Sequence, residues 1–449
     1  MNKGTKNQSK KNPVVSMPVV NVDAAGIDVS ATMHAVAVPV GRDVEHVREF
    51  GSFTEDLESI AGWLKQCQIT TVAMESTGVY WKQLYLVLIE NGFEVFLVNA
   101  RHVKNVTGRK TDMDDAQWIQ KLHSCGLLTS SFLPDQSTQT IRTLVRHRKR
   151  LLEDSSKYVL RMQKALELMN IKIHSVINDI MGKTGTAIVE AILKGEREPE
   201  NFMRFVDGRI KADRETIKKS LRGNWRDEYL FVLSENYVLY GFIQQRILKC
   251  ESEIEKCLQE QVAVKSDGVI EPLNERRIKK KTKNQPLFNV TNYLHKIYGV
   301  DVTQIYGIKE GTALEILAET GGDLSAWENE NKFVSWLNLC PNNKITGGKL
   351  ISSMVMKRKA GYATQAFRSA ANSIQRSDHW LGDYFRRMKA KGGNKYAIIA
   401  VARKLAIIYY KMVTEKQNFK PVDIDQYREK YKTARIAYLE KQLAKLQRA

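Results

Sequence analysis

The sequence predicts a mixed α/β domain followed by a predominantly helical remainder. Short apolar, β-like runs end at Asp28, Glu75 and Val98 and alternate with helical patterns, which implies a mixed sheet flanked by helices. After about residue 138 the spacing changes. Apolar residues recur three and four apart from Ile141 to Ile180, uninterrupted by Gly or Pro until Gly182, and a second such run spans residues 240–257. The chain has 449 residues, enough for two or three domains, and 43% of them are hydrophobic.

Each element follows in order. Residues 1–22 read as a disordered tail. Ile27-Asp28-Val29, a Ser30-Ala31-Thr32 turn and an alternating stretch over 33–40 form a hairpin. A helix over 57–66 precedes the strand that ends at Glu75. Residues 80–91 form a second helix, stopped by Gly92, and 93–98 another apolar strand. Asp112 and Asp115 open a helical pattern that runs to about Cys125. The α/β domain thus spans 23–130. The two long heptad runs pair as an antiparallel coiled coil over 138–264, with a helical insertion at 182–226. Residues 265–290 form a basic linker that contains the run Arg276-Arg277-Ile278-Lys279-Lys280-Lys281-Thr282-Lys283. A helical domain occupies 291–415, and a basic helical tail 416–449.

The chemistry concentrates in four acids. Asp28 and Glu75 close apolar strands, where open α/β sheets place their sites. Asp112 and Asp115, in Lys110-Thr111-Asp112-Met113-Asp114-Asp115-Ala116, lie three apart and share a helix face, from which Asp114 points away. Four carboxylates share a site as anions only with cations between them. Their hard oxygens suit Mg²⁺ or Mn²⁺, which points to metal-dependent phosphoryl chemistry. Ser76, Thr77 and Gly78 leave room for a phosphate beside Glu75.

Farther along, Cys340-Pro341-Asn342-Asn343-Lys344-Ile345-Thr346-Gly347-Gly348-Lys349 places a threonine hydroxyl among lysines and glycines. From composition alone, an ordinary turn with a capping threonine is the plainer reading. Ser352 and Ser353 are rival hydroxyls, and Lys357-Arg358 is a candidate backbone clamp. Gly182-Lys183-Thr184 is rejected as a phosphate loop, because position 177 is Ile and a helix precedes it. Residues 305–313 resemble one hairpin of a helix-hairpin-helix, or equally a plain helical connection.

Charge and composition set the partners. Lys and Arg total 70 against 50 Asp and Glu, a net charge of +20, which implies a polyanion such as nucleic acid. No apolar run is long enough to span a membrane. Residues 1–11 are polar and lack an apolar signal core. Five cysteines without a Cys-x-x-Cys pair fit a reduced cytosolic protein without structural zinc. His102 and His123 flank the acidic region without forming a ligand pair.

Together these motifs resemble the DEDD-type transposases of the IS110 family of insertion sequences, over most of the chain. The carriers are Gly26-Ile27-Asp28-Val29-Ser30, Met74-Glu75-Ser76-Thr77-Gly78, Lys-Thr-Asp-x-x-Asp-Ala at 110–116, Gly307-Ile308, Pro341, Gly347 and Lys359-Ala360-Gly361. The resemblance implies a RuvC-like, ribonuclease-H-fold N-terminal domain whose metal-binding quartet is Asp28, Glu75, Asp112 and Asp115. It implies a C-terminal transposase domain whose hydroxyl attacks a DNA phosphate to form a covalent intermediate. The family's serine falls on Thr346, which keeps the hydroxyl on a stiffer, β-branched side chain. Double-stranded DNA is the implied partner, with Lys110, Lys349, Lys357 and Arg358 as candidate contacts. Also implied are a dimer that assembles into a tetramer on DNA, with subunits sharing sites, and, for some members, an element-encoded guide RNA. Two rival readings are a junction nuclease in which water attacks and a non-catalytic nucleic-acid-binding protein.

Overall fold

The computed structural model describes residues 18–99, 112–265, 284–356 and 360–447. The chain divides into two compact units, Met1–Leu133 and Pro134–Ala449.

The first unit is built on a five-stranded sheet in the order β3-β2-β1-β4-β5. Its strands are β1 (Ala24–Val29), β2 (Met33–Ala37), β3 (Val47–Gly51), β4 (Thr71–Glu75) and β5 (Glu94–Val98). The first three pair antiparallel, whereas β1 with β4 and β4 with β5 are parallel. Side chains alternate across the sheet. Ala25, Ile27, Val29, Val72 and Met74 pack in a core with Leu57, Ile60 and Leu64 of α1 (Thr54–Gln66) and Leu84 and Leu88 of α2 (Trp81–Glu90). The opposite face packs against α3 (Asp112–Ser124), where Ala73 and Val98 meet Ile119, and Ala35 and Ala37 meet Ala116.

Three details depart from the sequence reading. The strand expected over 33–40 ends at Ala37. A further strand, β3, was not anticipated. It lies at the sheet edge, and its Val-Arg-Glu-Phe-Gly sequence lacks the continuous apolar run of a central strand. The tail expected to be disordered to residue 22 is held at its end. The N–H groups of Val20 and Asn21 both donate to the Ser124 carbonyl, and the Asn21 amide donates to that of His123. Residues 1–17 lie outside the described residues.

The second unit centres on two long helices, α4 (Gln136–Leu168) and α9 (Asp227–Lys265). Asp135 caps α4 by accepting from the Thr138 N–H. Gln261 contacts Thr138, Glu251 pairs with Arg148, and Gln244 donates to Ser155. Positions rise on one helix as they fall on the other, so the pair is antiparallel. Cys250 is buried in the seam with its Sγ 3.5 Å from the Leu144 carbonyl, and all five cysteines are free thiols.

The first heptad run was expected to continue to Ile180, but α4 stops at Leu168. Asn170 turns the chain with φ 58°, and the Ile171 N–H donates back to Leu166. Val176 and Ile180 instead pack in a local helical core. Four short helices contribute to it: α5 (Ile173–Val176), α6 (Lys183–Leu193), α7 (Pro199–Phe202) and α8 (Arg214–Ser220).

Of the expected linker, residues 266–283, including the basic run, lie outside the described residues. Its described end is tied down. The Asn284 carbonyl accepts from Arg148, and the Leu287 N–H donates to Glu251.

Beyond it lie α10 (Val290–Tyr298), α11 (Glu310–Thr320), α12 (Glu330–Trp336), α13 (Tyr362–Ser373), α14 (Trp380–Glu415, broken by non-helical backbone at Gly392 and Gly393) and α15 (Ile424–Leu446). Phe333, Phe367 and Tyr409 form an aromatic centre, and the Tyr409 hydroxyl donates to that of the buried Tyr298. Arg146 pairs in bidentate fashion with Glu319 and so ties α4 to α11. Gly307 adopts φ 82°, and a Cβ there would lie 2.6 Å from the Ala370 carbonyl. This close approach to the chain's own helix favours the plain helical connection for residues 305–313. The region expected to be entirely helical also contains a hairpin, β6 (Asn342–Thr346) and β7 (Lys349–Met354).

Candidate functional site

The sheet of the first unit brings two of the predicted acids side by side. The β1–β4 register pairs Ala24 with Thr71 and Ile27 with Met74. Asp28 and Glu75 are therefore the next residues along two parallel neighbours, about 4.8 Å apart as strands. Asp28 lies two residues beyond Gly26, and Glu75 two beyond Ala73, so both lie on the face that packs against α3. Both are half-buried. The Thr77 hydroxyl donates to Glu75 Oε1 at 3.1 Å and orients that carboxylate. Gly78, at φ 57°, turns the chain just beyond it.

Gly26 explains how α3 reaches this face. A Cβ at that position would lie 2.2 Å from the Gln120 nitrogen and 2.5 Å from the Ala116 carbonyl oxygen. Only a glycine lets the helix backbone settle on the strand. The direction of α3 follows from its contacts. Ser124 receives Val20 and Asn21, Gln120 donates to the Ala24 carbonyl, and Ala116 lies over Gly26. The helix therefore runs antiparallel to β1 and begins at the Asp28 end. Asp115, half-buried, precedes Ala116, and Asp112 opens the helix less than one turn earlier. The Asp112 side chain and Lys110 lie outside the described residues. Among the described residues no group of three Asp, Glu, His or Cys side chains stands close enough to hold a metal ion.

His123 lies at the far end of α3. It is buried, packs against Phe96 with the rings tilted by 53° and 4.7 Å between centroids, and shares a 2.9 Å hydrogen bond with the Thr71 hydroxyl. Burial pushes its pKa down to about 4. It is a core residue. His102 lies outside the described residues.

In the second unit, Thr346 closes a two-residue hairpin turn. Thr346 pairs with Lys349 across Gly347 (φ 55°) and Gly348 (φ 75°), the two positive values that such turns require. The next pair, Ile345 with Leu350, points to the opposite face. Lys344 pairs with Ser352, and by alternation Lys344 shares the Thr346 side. A hydroxyl flanked by ammonium groups is thus presented on an exposed ribbon. Ser353 is engaged, donating to Asn343 Oδ1 at 2.7 Å. The one sequence signal for the ribbon was the turn dipeptide Gly347-Gly348 between Thr346 and Lys349. Lys357 and Arg358 lie outside the described residues.

A family model described as Transposase, of the DEDD IS110 type, matches residues 25–171. A second, described as Transposase IS116/IS110/IS902 family, matches residues 301–386. No curated protein matches the chain. Among the described residues, no helix is long and apolar enough to cross a membrane.

Proposed function

The chain belongs to the IS110-type transposases and is a DNA transposase, and on that premise we propose a division of labour between its two units. The first is a RuvC-like domain in which Asp28, Glu75, Asp112 and Asp115 hold Mg²⁺ or Mn²⁺. The observation that carries this reading is the register that sets Asp28 beside Glu75, under the helix that Asp112 opens. These donors fit the divalent metal that DEDD-type transposases use. A bound ion there supplies Lewis-acid stabilisation of charge on a phosphodiester.

The second unit supplies the nucleophile. Thr346 Oγ forms a bond to phosphorus as a strand P–O bond breaks, and the departing strand end leaves as a hydroxyl. A hydroxyl of another strand reverses the step and completes the exchange. Lys344 and Lys349 stand where cationic groups offset the phosphate charge. Lys110, Lys357 and Arg358 are assigned to DNA contact on their charge. The working form is a dimer that assembles into a tetramer on DNA in the cytosol. An element-encoded noncoding RNA guides it, which the basic excess of the chain supports. The coiled coil over 138–264, the linker over 265–290, the transposase domain over 291–415 and the tail over 416–449 complete the proposed organisation.

The test is covalent trapping on nicked DNA. Wild-type protein is expected to leave an adduct that Thr346→Ala cannot make. Asp28→Asn and Asp115→Asn should fold normally yet lose exchange. Free strand ends without an adduct would instead favour water attack. Exchange retained in both Asn variants would overturn the metal assignment.

A further inference from the structure

The hairpin carries more than the hydroxyl. All of β6 and nearly all of β7 are exposed. Ile345 is 62% exposed, Leu350 58% and Ile351 68%. Ile345 and Leu350 are directly paired on the face opposite Thr346. The register shift between Lys344 and Ile345 inserts Ile351 beside that pair as an additional residue. A two-stranded ribbon is marginally stable in water, and three branched aliphatic residues on its surface call for a covering partner. The base of the ribbon is anchored, since the buried Asn338 donates to the Met356 carbonyl at 3.0 Å.

The distribution of side chains identifies that partner. Toward the turn, one face of the ribbon carries Lys344 and Lys349 and the other carries the paired Ile345 and Leu350. A nucleic-acid duplex has the matching arrangement, an anionic backbone alongside flat, apolar bases. A two-stranded ribbon is narrow enough to enter a groove of DNA, and aliphatic wedges inserted at a base step unstack it. We propose that Ile345, Leu350 and Ile351 form a wedge that enters the DNA beside the phosphodiester attacked by Thr346 and unstacks the adjoining base step. This deepens the reading of Thr346 as nucleophile and rests on it for the position of the wedge. Unstacking would loosen the backbone locally and expose the phosphate to in-line attack.

Permanganate footprinting tests this, because thymines react when unstacked. The full-length protein is bound to duplex DNA carrying the element's own ends, together with the transcript of its flanking noncoding DNA. Wild-type protein is expected to raise thymine reactivity several-fold at one step. Thr346→Ala should raise it equally, because the wedge does not need the hydroxyl. Ile345→Ser combined with Leu350→Ser should return reactivity to the duplex level while DNA binding persists. Ile345→Leu should retain it. If the double variant fails to bind, Ile351→Ser alone carries the test. Unchanged reactivity in the serine variants, or no increase with Thr346→Ala, would overturn the wedge. So would a changed oligomeric mass with an unchanged footprint, which would assign this face to a second copy of the chain. Adduct formation is scored separately, so failure of the nucleophile assignment is distinguishable from failure of the wedge.

Discussion

His123 shows how a residue near acidic groups in sequence can be remote from them in function. It follows Asp115 by little more than two turns, but α3 runs away from the acidic end of the sheet and carries it to the start of β4. Its folded pKa of about 4 lies below the ordinary histidine value of about 6.5. Between those values the unfolded chain binds a proton that the native chain does not. Stability is therefore expected to fall as pH drops below about 6.5 and to keep falling toward 4. His34 is shifted the same way by burial, with Asp56 opposing. The expected result is a melting midpoint that declines over this window, and less steeply in His123→Gln, whose amide can still meet the Thr71 hydroxyl. Equal slopes for the two proteins would remove His123 as a source of the acid lability.

At the scale of elements, the sheet and its glycine contact decide where the acids lie. Gly26→Val would drive a branched side chain into the α3 backbone, for which no rotamer gives relief. The expected cost is about 1–3 kcal/mol or more, read from the urea midpoint, together with loss of strand exchange. An unchanged midpoint would mean that α3 does not rest on β1 as described. The central strands were legible in the sequence because Ala24–Ile27 and Thr71–Met74 are apolar-rich runs each followed by an acid, Asp28 and Glu75. The edge strand β3 was not, because Arg48, packed over the Trp63 ring and paired with Asp43, and the exposed Glu49 break the apolar pattern. The hairpin of Thr346 was missed for a related reason. A ribbon with no buried face shows no core-directed alternation, so the polar segment read as a loop between helices. The end of α4 was hidden because the apolar spacing persists through Val176 and Ile180, which pack in the adjoining helical core. The left-handed turn at Asn170 stops the helix without Gly or Pro.

At the scale of the whole molecule, the excess of 70 Lys and Arg over 50 Asp and Glu makes DNA affinity an electrostatic quantity. The logarithm of affinity is expected to fall linearly with the logarithm of salt concentration, with a slope near −0.9 per phosphate neutralised. Lys349→Gln should reduce that slope by about one unit if it meets a phosphate, and leave it unchanged if it does not. The order of the acids along the chain, and the proposal that they converge, were legible from sequence, but the geometry on which such convergence rests was not. It depends on a strand register and on the direction of one helix, neither of which residue type alone records. The most direct measurement is anomalous diffraction from crystals of the full chain soaked in manganese. The expected result is an anomalous peak bounded by Asp28, Glu75, Asp112 and Asp115 that disappears in Asp28→Asn. Those carboxylates standing apart with no peak among them, in protein that still exchanges strands in manganese, would contradict it.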